Sequence, residues 1–187
     1  LKDKIGKEDE ILIQYDEVSV TTAVKNYLTI ISQLHNTNIR VIGFPLNNDF
    51  ASFKNNLKDN ATGIFIFQID ADEIPSEDLM ENIKDIIEYN KDVDLFFVPR
   101  INTVEGLTKQ HIKKWKWNVN EKGWVNFPDV QTRIYKNSDK IFSIGKSINI
   151  EETEFYEINL QVHQSHHFIL VAFNSGICTR RYPTRYH

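Results

Sequence analysis

Three carboxylates stand close together in residues 68–73, QIDADE. Carboxylates at this spacing repel one another, so the segment is costly unless a positive charge lies nearby. A divalent cation such as Mg²⁺ or Mn²⁺ would supply that charge, because these ions bind carboxylate oxygens and take further ligands from substrate phosphates. The small Ala71 lets the backbone turn while Asp70 and Asp72 face the same point. The segment therefore predicts a metal site with Asp70 and Asp72 as ligands.

A second interpretation of these carboxylates is structural. They precede a helix that is expected to begin after Ser76 as its N-cap, and acidic groups near a helix N-terminus interact favourably with the helix dipole. An EF-hand calcium loop is excluded, because a loop starting at Asp70 would place Ile74 and Pro75 where an oxygen ligand and a glycine are needed. The sequence leaves two interpretations open, a metal site and a solvated acidic turn.

The elements that must position this segment alternate between strand and helix. Apolar runs predict strands, and apolar residues spaced three and four apart predict helices. The predicted strands cover residues 10–15, 39–44, 63–69 and 95–98, and the predicted helices cover 19–34, 47–60 and 76–90. This alternation predicts an α/β fold with a mainly parallel central sheet. Ligands of such sheets bind at the carboxyl ends of the strands, which is where Asp16 and Asp70 fall.

The overall composition is typical of one soluble globular domain. The chain has 187 residues, of which 41% are hydrophobic and 26% are charged. A formal net charge of -4 argues against wholesale binding to nucleic acid. The single cysteine, Cys178, allows no internal disulfide, so a reducing, cytoplasmic location is the simpler expectation. No apolar run reaches the length of a membrane span.

Residues 47–73, NNDFASFKNNLKDNATGIFIFQIDADE, resemble the core signature of the family 2 glycosyltransferases. In that family a helix with a basic residue and an asparagine leads through an Ala-x-Gly turn into an apolar strand that ends in Asp-x-Asp. The matching positions here are Lys54-Asn55, Ala61-Thr62-Gly63 and Asp70-Ala71-Asp72. The following glutamate resembles the Asp-Ala-Asp-Glu subgroup, which includes bacterial lipopolysaccharide-core transferases. The resemblance covers residues 10–136.

The resemblance implies a GT-A fold, a Rossmann-like α/β domain that binds a nucleoside-diphosphate sugar. Residues 1–187 would form one domain, with the nucleotide-sugar half in residues 1–100 and the acceptor-side half in residues 101–167. Residues 168–187 fit no pattern and are expected to form an irregular tail. The family's first strand should precede Leu1, so the sheet is expected to lack that strand.

The resemblance also assigns roles to individual residues. Asp72, with Asp70, would hold Mn²⁺ or Mg²⁺ on the donor diphosphate. Lys54 stands where the family usually has an arginine that faces the diphosphate, so the charge is kept without the bidentate fork. Asn55 and Asp16 complete the predicted donor site, with Asp16 near the nucleobase or ribose. A solvated helix lysine and an exposed turn aspartate are the competing interpretations of Lys54 and Asp16.

An inverting transfer needs a carboxylate that takes the proton from the acceptor hydroxyl. Relatives in the subgroup carry a late Gly-x-x-His-Glu stretch, but the comparable residues 145–149, GKSIN, contain neither His nor Glu. Asp129 is the predicted substitute, and a surface-turn aspartate is the competing interpretation. Glu151 and Glu152 are further candidates.

Three late histidines invite a zinc interpretation, namely His163, His166 and His167. A structural zinc site needs four ligands with ordered spacing, and only Cys178 could join them. His163 is instead predicted to lie near the metal or the diphosphate, because many relatives carry a late histidine there.

The tryptophans Trp115, Trp117 and Trp124 are interleaved with lysines. Exposed indoles stack on sugar faces, so this region is expected to form the acceptor side. Interleaved Trp and Lys could equally stack on nucleic-acid bases, and core packing is the competing interpretation for Trp124.

The predicted function is transfer of a hexose from a nucleoside-diphosphate sugar to a hydroxyl of a glycan or lipopolysaccharide-type acceptor. The protein is expected to associate peripherally with the inner face of a membrane. Nucleic acid is not an expected partner. Two alternatives stay open. One is a non-catalytic sugar- or nucleotide-binding module, or an inactive fragment, that has lost the base. The other is a metal-dependent nucleotidyltransferase, although the Gly-rich basic phosphate loop that such enzymes usually carry is not visible in the sequence.

Overall fold

The computed structural model describes residues 5–34, 38–144, 147–150, 155–157 and 168–173, with the backbone alone described from residue 144 onward. The helices are α1 (Thr22–Ser32), α2 (Phe50–Asp59), α3 (Glu77–Tyr89) and α4 (Lys109–Trp115). The strands of the first hundred residues are β1 (Glu10–Asp16), β2 (Ile39–Phe44), β3 (Phe65–Asp70) and β4 (Leu95–Asn102). The later strands are β5 (Val125–Lys136), β6 (Ile141–Ile144), β7 (Ser147–Ile150), β8 (Phe155–Glu157) and β9 (Phe168–Phe173).

Seven strands form one sheet in the order β2-β1-β9-β3-β5-β4-β8, and β6 and β7 form a separate antiparallel pair. The pairs β1–β2 and β4–β8 are parallel. The pairs that involve β5 or β9 are antiparallel. The α/β class is confirmed, but the described sheet is mixed and the expected mainly parallel pairing is not observed. The cause is the direction of β5 and β9, which run opposite to their neighbours.

The strands β1 to β4 nevertheless run in a common direction. Both β1 and β3 are antiparallel to β9, and both β3 and β4 are antiparallel to β5. Their carboxyl ends therefore meet at one edge of the sheet, which we call the carboxyl edge. Asp16 ends β1 and Asp70 ends β3, so the predicted placement of both residues at this edge is confirmed.

The central strand β3 is buried on both faces, as its nearly all-apolar sequence predicts. On one face Phe67 belongs to a cluster with Leu79 and Ile83 of α3. On the other face Ile66 belongs to a cluster with Leu57 of α2. The sheet thus has helices on both sides, and a strand that is buried on both faces delivers Asp70 to the carboxyl edge.

Helix α3 follows the carboxylate segment and begins as the sequence predicts. The Leu79 N–H donates a hydrogen bond of 3.2 Å to the hydroxyl oxygen of Ser76, which is the N-cap. This cap fixes the direction in which the chain leaves residues 70–73. The loop is therefore held at both ends, by a buried strand and by a capped helix.

Helix α1 is less buried than its apolar spacing predicts. Leu28 is buried, whereas Val24 is 40% exposed and Leu34 is 45% exposed. The helix packs beside the sheet-edge pair β1–β2, where fewer neighbours are available to cover it. A pocket of about 380 Å³ lies between α1 and β1.

Residues 168–173 correct the expectation of an irregular tail, because they form β9 inside the sheet. Helix α4, which has no clear apolar period in the sequence, begins at a capping box between Thr108 and His111 and has no buried residue. Among the described residues, no helix is both long and apolar enough to cross a membrane.

Candidate functional site

The carboxylates at the end of β3 form a closed turn. The Glu73 N–H donates to the backbone oxygen of Asp70 at 2.8 Å, and the Asp70 N–H donates to the Glu73 carboxylate at 3.0 Å. Glu73 is buried, while Ala71 is exposed. The side chain of Glu73 therefore folds back to stabilise its own turn, and the small Ala71 forms the tip.

Two arginines from neighbouring strands supply positive charge beneath this turn. Arg133 of β5 donates through Nη2 to Asp70 Oδ2 at 3.1 Å and, at a shorter distance, to Glu73 Oε1. Arg100 of β4 lies 3.4 Å from the same Glu73 oxygen. The two arginines thus partly neutralise the repulsion among the carboxylates of the turn, which was the reason to expect a cation. Neither arginine was predicted as a site residue.

A signal for Arg133 does exist in the sequence. It stands in residues 130–136, VQTRIYK, a segment predicted to be a strand, directly before the apolar pair Ile134 and Tyr135. Its side chain is only 6% exposed, and a buried charge must be paired. An arginine in a buried strand therefore predicts a carboxylate partner, although the sequence cannot say which one.

Burial acts on both charge types in this cluster. Burial raises the pKa of Glu73, helped by the nearby charge of Asp70, and the arginines offset only part of this rise. Burial likewise lowers the pKa of Lys54, against the opposing charges of Asp70 and Glu73. Lys54 lies on α2, and these electrostatic contacts put it near the carboxylate turn. Its contact with a diphosphate stays a prediction.

The fit of a metal ion can be judged from the oxygens of the turn. Asp70 Oδ1 is buried and has no hydrogen-bond partner in the part of the chain that the structure describes. Within the same residues, no group of three or more His, Cys, Asp or Glu side chains is arranged to hold a metal. A cation at this turn would therefore take Asp70 and Asp72 from the protein and its other ligands from water or phosphate. The predicted ligand His163 lies outside the described residues.

Asp16 joins two strand ends at the carboxyl edge. Its carboxylate accepts hydrogen bonds from the Ser19 hydroxyl at 2.5 Å and from the Leu46 N–H, beyond β2, at 3.0 Å. These hydrogen bonds hold the pKa of Asp16 below its ordinary value. Asp16 also lines the pocket between β1 and α1, and Ala71 of the carboxylate turn lines the same pocket. The structure thus places Asp16 and the turn beside one cavity.

Asn55 has a structural contact. Its Oδ1 accepts a hydrogen bond from the Ser143 N–H at 2.7 Å, and its Nδ2 donates to the Ser143 backbone oxygen at 3.1 Å. These bonds attach α2 to β6. Contact between Asn55 and a donor stays a prediction.

Asp129 lies within β5, so it is not the surface-turn aspartate of the competing interpretation. It accepts two hydrogen bonds from Arg100, at 3.0 and 2.5 Å, and one each from Asn102 at 3.0 Å and Gln131 at 2.7 Å. Burial raises its pKa, but these hydrogen bonds outweigh burial, so the pKa of Asp129 is lowered overall. A carboxylate held in this way is a weak proton acceptor. Its role as the base stays a prediction.

The lowered pKa of Asp129 predicts a loss of stability in acid. A carboxyl group with a lower pKa in the folded state stabilises the fold above its unfolded pKa of about 3.9. That contribution is lost as the pH falls through the lower, folded pKa. Asp129→Asn should therefore be less stable than wild type at pH 7, and the difference in urea unfolding should shrink below about pH 4.

Asp92→Asn is the control for this pH series, because Asp92 is exposed in a turn. Its effect on stability should be small at every pH. A difference between Asp129→Asn and wild type that stays constant from pH 7 to pH 2.5 would contradict the prediction.

No known family model matches the chain. The comparison with curated proteins gave no match either.

The tryptophan region lies next to the same edge, between the end of β4 and the start of β5. Trp115 is 47% exposed and contacts the rings of His111 and Trp117, with centroid distances of 4.9 and 4.7 Å. Trp124 is partly buried and packs on Phe127. An exposed aromatic surface is available at Trp115, as the acceptor-side interpretation requires.

Proposed function

We propose that this chain is a metal-dependent glycosyltransferase that moves a sugar from a nucleoside diphosphate to a hydroxyl acceptor, with inversion as the resemblance implies. The observation that carries the proposal is the geometry of Asp70. It ends a buried strand at the carboxyl edge, and its Oδ1 is buried without a hydrogen-bond partner in the described residues. A buried carboxylate oxygen is normally satisfied, so an unsatisfied one calls for a cation, a water or a ligand.

The pocket between β1 and α1 supports the nucleoside part of the proposal. Its volume of about 380 Å³ is within the range of small-molecule sites. Its walls are mainly apolar, and its polar groups include Gln14, Asp16, Ser19 and Thr21. A nucleoside bound there would have the Asp70–Glu73 turn next to it, because Ala71 belongs to both.

The strand order supports the GT-A interpretation, which is Rossmann-like. In a common doubly wound order, 3-2-1-4, the first strand lies between the second and the fourth. The described order β2-β1-β9-β3 corresponds to it if β1, β2 and β3 are taken as the second, third and fourth strands. In this comparison β9 takes the position of the first strand and runs in the opposite direction.

The proposed roles follow from these positions. Asp70 and Asp72 would hold Mn²⁺ or Mg²⁺, and the metal would stabilise the departing diphosphate. Lys54 would add positive charge on the diphosphate side. A glycan or lipopolysaccharide-type acceptor, at the inner face of a membrane, would stack on the exposed Trp115. Asp129 could take the acceptor proton only after its hydrogen bonds from Arg100 were broken.

A non-catalytic nucleotide- or sugar-binding module is the second candidate. It is favoured by one observation, the engagement of Asp129 by Arg100, Asn102 and Gln131. The two candidates differ in turnover. Metal-dependent binding of UDP without hydrolysis or transfer from any UDP-sugar would favour the binding module.

The proposal is tested by calorimetry of UDP binding with and without Mn²⁺. Wild type should bind UDP more tightly with Mn²⁺, and Asp72→Ala should weaken that binding about tenfold, or ~1.4 kcal/mol. Asp92→Ala, an exposed aspartate away from the turn, is the matched control and should bind as wild type does. Absence of Mn²⁺-dependent binding to UDP, GDP, ADP, CDP and TDP would sink the proposal.

A further inference from the structure

Arg133 lies directly against the proposed metal ligands. One guanidinium nitrogen, Nη2, contacts both Asp70 Oδ2 and Glu73 Oε1. The side chain is 6% exposed, and its Nε has no hydrogen-bond partner among the described residues. Arg133 thus fixes one oxygen of Asp70, and the other, Oδ1, has no hydrogen bond within the described part of the chain.

The formal charges around this contact are almost balanced. Among the described residues, the turn and the groups around it hold four carboxylates and three basic side chains, which leaves one net negative charge. The carboxylates are Asp70, Asp72, Glu73 and Asp129, and the basic side chains are Arg100, Arg133 and Lys54. A divalent cation alone would make the cluster positive beside a buried guanidinium, which is unfavourable at low dielectric. A diphosphate would remove this excess positive charge.

We propose that Arg133 is a positioning residue that orients Asp70 and makes metal binding depend on a bound diphosphate. It holds Asp70 through Oδ2, and its charge disfavours a divalent cation until the negative phosphates arrive. The inference rests on the proposed function, because it concerns the same metal site. Metal and nucleotide then strengthen each other's binding by the same factor, as thermodynamic linkage requires.

A titration of the chain with Mn²⁺ tests this inference. Electron paramagnetic resonance measures the free ion, with and without UDP. Without UDP, Arg133→Gln should bind Mn²⁺ about tenfold more tightly than wild type, because the repelling charge is gone while the glutamine amide can still donate a hydrogen bond to Asp70. UDP should then strengthen Mn²⁺ binding less than it does in wild type. Arg133→Lys keeps the charge and should keep the wild-type dependence on UDP.

Glu73→Gln is the second variant, and it keeps Arg133 together with an acceptor for its hydrogen bond. Because it removes a negative charge, it should bind Mn²⁺ alone more weakly than wild type. The inference is overturned if folded Arg133→Gln binds Mn²⁺ no more tightly than wild type, or if Glu73→Gln binds it as well as wild type. If Arg133→Gln does not fold, Glu73→Gln decides.

Failure of the proposed function would look different in the same experiment. Wild type would then bind no nucleoside diphosphate in the presence of Mn²⁺. The opposite changes in Mn²⁺ affinity of Arg133→Gln and Glu73→Gln, measured without nucleotide, would still be seen if the role of Arg133 is correct. Circular dichroism of each variant confirms that the folded chain is being compared.

Discussion

Replacing Arg133 by methionine is expected to lower the free energy of unfolding by about 3–5 kcal/mol, the usual cost of removing one partner of a buried ion pair. Glu73 has a fully buried side chain and would lose its closest cation, and its other ion-pair partner among the described residues is Arg100 at 3.4 Å. Burial already raises the pKa of Glu73, and loss of Arg133 would raise it further. Urea unfolding at pH 7, followed by circular dichroism, measures the change.

Removing both partners should lower the free energy of unfolding much less than removing one. Arg133→Met combined with Glu73→Leu takes both charges out of the interior, so most of the lost stability should return. The control is Lys136→Met, which breaks a half-exposed ion pair to Asp94 with a distance of 2.5 Å. Such pairs contribute about 1 kcal/mol or less. A cost for Arg133→Met as small as that of the control would contradict the prediction.

Phe67→Ala is expected to destabilise the chain by about 3–5 kcal/mol, through lost burial and the cavity that remains. Phe67 is 0% exposed in the middle of β3 and packs with Leu79 and Ile83 of α3. The same strand carries Asp70, so the functional turn depends on this packing for its support. Urea unfolding at pH 7 gives the difference from wild type.

The control for Phe67→Ala is Tyr89→Ala, a change of similar size at a side chain that is 72% exposed at the end of α3. Its effect should be within about 0.5 kcal/mol. A Phe67→Ala variant that unfolds at the same urea concentration as Tyr89→Ala would contradict the described packing of β3 against α3.

The parts of the site that follow from local sequence were predictable. The turn at Asp70 comes after an apolar run and before the N-cap Ser76, so its place at the end of a buried strand could be inferred from adjacent residues. The same holds for Asp16 at the end of β1. Local patterns predict where a strand ends, and in α/β sheets that is where ligands bind.

The partners of the turn were not predictable, because they are distant in sequence. Arg133 meets Asp70 and Glu73 across 63 and 60 positions. Their meeting depends on β5 pairing antiparallel to β3, and strand alternation in the first hundred residues suggested parallel neighbours instead. Asn55 shows the same limit, since its bond to Ser143 spans 88 positions.

The position of β9 has a consequence for how the chain reaches its folded state. In the described sheet, β1 and β3 meet through β9, whose residues follow β1 by more than 150 positions. Contacts between such distant segments form slowly, because the entropy cost of closing a long loop comes before the favourable energy of strand pairing. During synthesis the β1–β2 pair could join the rest of the sheet only after residues 168–173 had left the ribosome, because β9 connects it to β3. Assembly of the pocket beside Asp16 and Ala71 would then be a late step of folding.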